Sequence, residues 1–230
     1  MANAARFGLW LGLGLLMACE GADGDAETSA GTTDGTPAPL NCDDTVIAGH
    51  VVIESAEDLD QLDGVREVEG ELQVDKTDFT NLDALGCLEV VGGELTVFGN
   101  DALTDVSGLD NLRSVGGGFI ISENPLLPEL GGLDQLTEVQ GSVVLRQNGS
   151  MTRVDGFTSL ATIGGGLVIR ENDALTNIDG MQALRSVGGQ LAITHNPSLC
   201  ISSINRVGAG IVEPAVIPDN WSTRANDDDC

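Results

Sequence analysis

Apolar positions in this chain advance in steps of three, and the pattern restarts every 24 residues. An asparagine marks the restart, at Asn100, Asn124, Asn148, Asn172 and Asn196. Counting from it, apolar side chains hold the third position (Leu103, Leu127, Met151, Leu175, Leu199) and the sixth (Val106, Leu130, Val154, Ile178). They return at the ninth (Leu109, Leu133, Phe157, Met181), the twelfth (Leu112, Leu136, Leu160, Leu184) and the fifteenth (Val115, Val139, Ile163, Val187). Glycine holds the eighth position (Gly108, Gly132, Gly156, Gly180), and glycine-rich pairs such as Gly116-Gly117, Gly164-Gly165 and Gly188-Gly189 follow the fifteenth. Each unit then closes on alternation: Phe119/Ile121, Val143/Leu145, Leu167/Ile169, Leu191/Ile193. A repeat of about 20 to 50 residues is the signature of a solenoid.

The two rhythms predict two local structures. Alternation, as in Leu167-Val168-Ile169, predicts a short strand with its first and third side chains on one face. The step of three does not fit alternation, so it predicts loop with short turns or 3₁₀ pieces, each bend pointing a side chain inward. The glycine pair is expected to supply backbone angles that other residues resist, turning the chain into the strand. A single coil cannot bury its apolar face, but stacked coils can. Each asparagine then stands above the last at the corner ending the strand, where a buried amide is expected to hydrogen-bond neighbouring backbones.

The repeat fades at both ends. Val51-Val52-Ile53, Leu72-Gln73-Val74 and Leu95-Thr96-Val97 match the later strands. The coil from Leu72 is one residue short at its corner, and Lys76 or Thr77 takes the asparagine position. Ser55-Ala56-Glu57-Asp58 before Leu59 and Leu62, with Gly64 beyond, predicts a capped single-turn helix. Asn196-Pro197-Ser198 is expected to open a helix carrying Ile201, Ile204 and Val207 and stopping at Gly208. Ala215 and Ile217 stand where a last strand belongs.

Residues 1–18 lie outside this pattern. Arg6 precedes an apolar run from Phe7 to Ala18, shorter than the roughly 20 residues of a membrane-spanning helix and suited to a secretory signal. Its end, Leu16-Met17-Ala18-Cys19, resembles the lipobox of bacterial lipoproteins. That resemblance implies cleavage before Cys19, lipid on Cys19, and, with Glu20 following, export to the cell envelope and its outer membrane, facing the periplasm or the surface. An ordinary signal with an incidental cysteine is the alternative. Residues 19–41 are rich in Gly, Ala, Thr, Pro and acids, too poor in apolar bulk to fold, and are expected to be a disordered acidic tether. Residues 42–230 form the solenoid. Five cysteines make an odd count. With Cys19 given to lipid, the simplest pairing of the rest is Cys42–Cys87 and Cys200–Cys230, stapling the two ends.

The unit N-x-x-L-x-x-L-x-G-L-x-x-L-x-x-V-G-G-x-L-x-I resembles the receptor L-domain repeat, found in the ligand-binding lobes of insulin- and epidermal-growth-factor-type receptors, in fungal cell-wall proteins and in bacterial lipoproteins. The resemblance runs from about Asp43 to Ile217. It implies a mainly β, right-handed, β-helix-like leucine-rich solenoid with short helical caps. It carries over no ligand, because the receptors' contact residues lie in variable loops that this chain does not match.

Charge narrows the partners. Ten Lys and Arg against 36 Asp and Glu give a net charge of −26. Nucleic acid and anionic lipid surfaces both require basic patches, so neither is expected. The acidity serves solubility or, in Asp227-Asp228-Asp229, a divalent cation, although no run has the spacing of a known calcium loop. No metal or cofactor is assigned. His50 and His195 are the only histidines, and no nucleophile, base and orienter can be assembled. The expectation is a lipid-anchored, non-catalytic binding or scaffolding protein for a protein or glycan; the rival class is a carbohydrate-active enzyme on a parallel β-helix. The expected binding face is the outward side of the strands. There Phe98, Ile120, Val144 and Val168 form an apolar strip beside Arg146 and Arg170, open to a partner or to a second copy. The two arginines are expected to pair with Glu123 and Glu171.

Overall fold

The computed structural model describes residues 42, 44–212, 221–224, 226 and 227. The signal segment, Cys19, the tether, Ala215, Ile217, Asp228, Asp229 and Cys230 lie outside these residues.

The chain is a stack of coils. Each alternating pair becomes a strand, and within the described residues eight such strands form one parallel sheet in strict sequence order: Val51–Ile53, Leu72–Asp75, Leu95–Phe98, Phe119–Ser122, Val143–Arg146, Leu167–Arg170, Leu191–Thr194 and Trp221–Ser222. The registers repeat without slippage, so Val143 stands beside Phe119 on one side and Leu167 on the other. Among the described residues the last rung is Trp221–Ser222, paired with Leu191 and Ala192.

The step-of-three segment is more ordered than loop. Short 3₁₀ turns stand at Asp83–Leu85, Ser107–Leu109 and Asp179–Met181, as the bends require. The fifteenth position, however, lies in a second parallel sheet of seven strands. Its middle rungs are only two residues long, such as Ser114–Val115 and Glu138–Val139. A two-residue strand shows no alternation, which is why the sequence pattern conceals this sheet. Between the two sheets the periodic Leu, Val and Ile from Asn100 to Leu199 are buried, Val51 and Leu59 in the first coils only partly so, and Phe119 meets Phe157 edge-on at 5.5 Å between ring centres.

The glycine pairs do a different job from the one their sequence suggests. Among the glycines, positive φ occurs at Gly49, Gly64, Gly99 and Gly132, none of them in the pairs that follow the fifteenth position. The pairs are glycine because the coils touch there. A Cβ on Gly116 would lie 2.1 Å from the Gly92 carbonyl oxygen, and one on Gly164 2.2 Å from that of Gln140. The left-handed turn falls instead just before Thr77 and each of the five asparagines, at Lys76, Gly99, Glu123, Gln147, Glu171 and His195, with φ between 52° and 67°.

The ends are closed as short caps. Ala56–Asp60 is a helical turn whose Ser55 hydroxyl accepts from the Asp58 amide. At the far end Asn196–Cys200 is a strand rather than the first turn of a helix, and the helix runs from Ile201–Gly208. Pro197 is tolerated there because the strand is peripheral. Cys42 and Cys87 form a disulfide with 5.3 Å between Cα atoms, closing 45 residues of the first coils. Cys200 is also disulfide-bonded; the Cys230 expected to pair with it lies outside the described residues.

Candidate functional site

Three columns meet where the strands of the larger sheet end: the buried asparagines, the left-handed corner before them, and the outward side chains of the strands.

The asparagines form one hydrogen-bonded ladder, and all five are fully buried. In the middle coil the Asn148 Oδ1 accepts from the Asn124 amide at 3.1 Å, while its Nδ2 donates to the Ile121 carbonyl at 3.0 Å. The Asn148 amide donates in turn to Asn172 Oδ1 at 3.0 Å. The buried side-chain amide of Asn148 is thereby satisfied away from water. Two rungs escape the 24-residue count. Thr77, not Lys76, begins the ladder, donating to Asn100 Oδ1 from its amide and its hydroxyl. Asn226 ends it, accepting from the Asn196 amide at 3.1 Å across a separation of 30 residues.

The outward face holds the predicted residues but exposes them less than their pattern implies. Ile120, Val144 and Val168 stand in register, with Phe98 and Arg146 in the next column, and all five are half-buried; Arg170 is exposed. Side chains at strand spacing shield one another. Ser122 departs further, being 4% exposed between Phe98 and Arg146 instead of facing out. Among the described residues the exposed large apolar side chains are Val46, Leu126 and Val212, which lie elsewhere, and Val52, which heads the same outward column but is separated from Ile120 by Gln73 and Thr96.

Charges along the corner are paired as the sequence suggested. Arg146 reaches Glu123 at 3.3 Å, and Arg170 reaches Glu171 at 2.5 Å. The Arg170 hydrogen bond holds the Glu171 carboxyl below its ordinary value, against an opposing effect of burial. Elsewhere the Ser55 hydroxyl lowers Asp58 at its helix cap, and Glu89 and Glu129 raise Arg66 and Arg153. Asp110 is pushed up, first by loss of solvent and then by Asp105 and Asp134. These shifts belong to caps and surface pairs spread over different coils. Asp105, Asp110 and Glu129 line an acidic hollow of about 380 Å³, yet among the described residues no group of three His, Cys, Asp or Glu is placed to hold a metal ion. His50 accepts from the Glu71 amide in the first coils, and His195 occupies the last left-handed corner, so the two histidines are not brought together.

The corner also contains a cleft that no sequence motif announces. It has a volume of about 580 Å³ and runs from Lys76 to Gln147, with Phe98 as its aromatic wall. The signal was a subtraction: Gly99 stands where other coils carry a side chain.

A family model described as receptor L domain matches residues 41–129 and, a second time, residues 120–208. No curated protein matches the chain.

Proposed function

The chain belongs to the receptor L-domain family, and from that premise we propose that it is a lipid-anchored binding module of the cell envelope, holding a protein or glycan on the outward face of its larger sheet. Receptor L domains are in general non-enzymatic and bind protein ligands. The observation that carries the reading is the unbroken register of that sheet, which sets Ile120, Val144 and Val168 side by side on a rigid surface. Contiguous apolar surface between polar neighbours is characteristic of interaction sites. Leu16-Met17-Ala18-Cys19 supports anchoring through Cys19, with residues 20–41 as the tether that lets the solenoid reach its partner.

Capture from envelope extracts and on glycan arrays by the soluble chain, compared with Val144→Glu/Val168→Glu, tests the face. Both positions are half-buried on the outer surface, so circular dichroism should be unchanged while capture is lost. Retained capture by a folded double variant removes the face from the reading; self-association would instead show as a larger species in size-exclusion chromatography. Cys19→Ala should release the chain from the membrane fraction, and unchanged fractionation sinks the anchor.

A further inference from the structure

The corner after each strand repeats along the solenoid, and at one coil it opens. Among the described residues its left-handed position carries a side chain at Lys76, Glu123, Gln147, Glu171 and His195, and none at Gly99. Coils stack about 4.8 Å apart, so deleting one side chain from such a column leaves a slot between its neighbours. A Cβ built on Gly99 would meet only the Lys76 stem, at 3.2 Å. The preceding Phe98 stands in register between Asp75 and the small, buried Ser122. Slot and ring together make the cleft of about 580 Å³.

Its charges are unequal. Asp78, Asp101 and Glu123 bring three carboxylates to the lining, Glu123 already paired with Arg146 at 3.3 Å, against Lys76 as the one cation that lines it. Neither Asp78 nor Asp101 has an ion-pair partner among the described residues. The Lys76 ammonium lies 5.1 Å from the centre of the Phe98 ring and 3.4 Å from Asp75 Oδ2. The other oxygen of Asp75 is buried with no hydrogen bond. Lys76 thus marks where a cation rests, over the ring and beside carboxylates. An exposed side chain with one long ion pair is held there only weakly.

The geometry points to this cleft as a receiving site for a cationic side chain, a guanidinium or ammonium group of a protein partner, which displaces Lys76 from the Phe98 ring. This rests on the binding reading above and names the chemistry recognised at one end of the strip. A planar guanidinium stacks on the ring while its N–H groups donate to the carboxylates. The net charge of −26 steers a basic partner toward the surface. A neutral sugar on the same ring would donate its hydroxyls to the carboxylates, but it brings no charge to offset theirs and would not require Lys76 to leave.

The test is an NMR titration of the folded, lipid-free chain with an acetylated Gly-Arg-Gly-Arg-Gly amide at low salt, its citrulline counterpart serving as the uncharged control. The Phe98 ring and Gly99 amide signals should shift with the arginine peptide and stay in place with citrulline. Lys76→Ala removes the internal competitor and should tighten binding about two- to fivefold, whereas Phe98→Leu should weaken it about fivefold. Asp101→Asn with Glu123→Gln should weaken it about tenfold, and an equal charge change elsewhere, Asp60→Asn with Glu138→Gln, by less than about twofold. Folding of each variant is checked by circular dichroism, and Lys76→Ala reports even where Phe98→Leu disturbs the strand. The proposal is overturned if Lys76→Ala weakens binding, if the distant charge pair matters as much as the cleft pair, or if chitotriose moves the Phe98 and Gly99 signals while the peptide does not. Those outcomes leave the sheet-face reading standing, because that depends on capture by Val144→Glu/Val168→Glu; loss of both would remove the binding module itself.

Discussion

Two columns run the length of this solenoid one residue apart, and they obey opposite rules. The inner column is asparagine in five successive coils, capped by Thr77 and Asn226. The outer column, immediately before it, reads Lys76, Gly99, Glu123, Gln147, Glu171 and His195, with no two neighbours alike. Backbone geometry is the same in every coil, so geometry does not explain the contrast. Burial does. An inner side chain must satisfy several backbone groups without water, and an amide has donors and an acceptor at the right reach. An outer side chain leaves the corner for solvent, so its chemistry is free even though its backbone is constrained. Repetition in this molecule therefore marks what the fold requires, and variation marks where recognition can be built.

Two substitutions test the repeated positions, one in a glycine pair and one in the inner column, the larger effect first. Gly164→Ala should cost about 3 kcal/mol or more, at the upper end for overpacking, because its Cβ would sit 2.2 Å from a backbone oxygen that cannot move without parting two coils. Asn148→Ala should cost about 2–3 kcal/mol, since it strands the buried Asn124 amide and the Ile121 carbonyl. Denaturant midpoints measure both. An unchanged midpoint for Asn148→Ala would mean that the ladder is ornament and that the two columns do not differ in kind.

The outer rule is tested at the adjacent residue. Gln147 sits at φ 57°. Gln147→Gly relieves a left-handed cost of about 1 kcal/mol but adds a similar unfolded-state entropy, so the net change should stay within about 0.5 kcal/mol. Gln147→Val should cost about 1–2 kcal/mol, because a β-branched residue is a genuine outlier in that conformation. If the two variants behave alike, the corner's conformation is looser than its repeated φ implies.

The same contrast explains how far the sequence could be read. Burial writes periodically, so the coil length, the strands of the larger sheet and the asparagine column are all legible in the spacing of residues alone. The second sheet is not, because rungs such as Ser114–Val115 are too short to alternate. Asn226 escapes the pattern because it stands 30 residues after Asn196, off the 24-residue count. The glycine pairs are legible as positions but not as causes: only the neighbouring coil's backbone shows that they lack room for a Cβ. The cleft is invisible in the sequence, since a missing side chain at Gly99 means nothing until its column is known.

The smallest expected effect probes charge within the outer column. Glu171 accepts from Arg170 Nη2 at 2.5 Å and from Nε at 3.2 Å, and the pair is open to solvent. The Arg170 hydrogen bond lowers the Glu171 carboxyl from its ordinary value of 4.5. A carboxyl whose folded pKa is depressed binds fewer protons folded than unfolded near that value, so its contribution is present above the ordinary value and disappears as pH falls through the lower one. Glu171→Gln should therefore lower the melting temperature slightly at neutral pH and not at all once the carboxyl is protonated in both states. Because the pair is exposed, the neutral-pH difference should also shrink in molar salt. Melting curves of the two proteins across acid and salt series measure this directly. A loss at neutral pH as large as that of Asn148→Ala, or one that persists in acid, would show that the corner's side chains carry the fold as the asparagines do, and the distinction between the columns would fail.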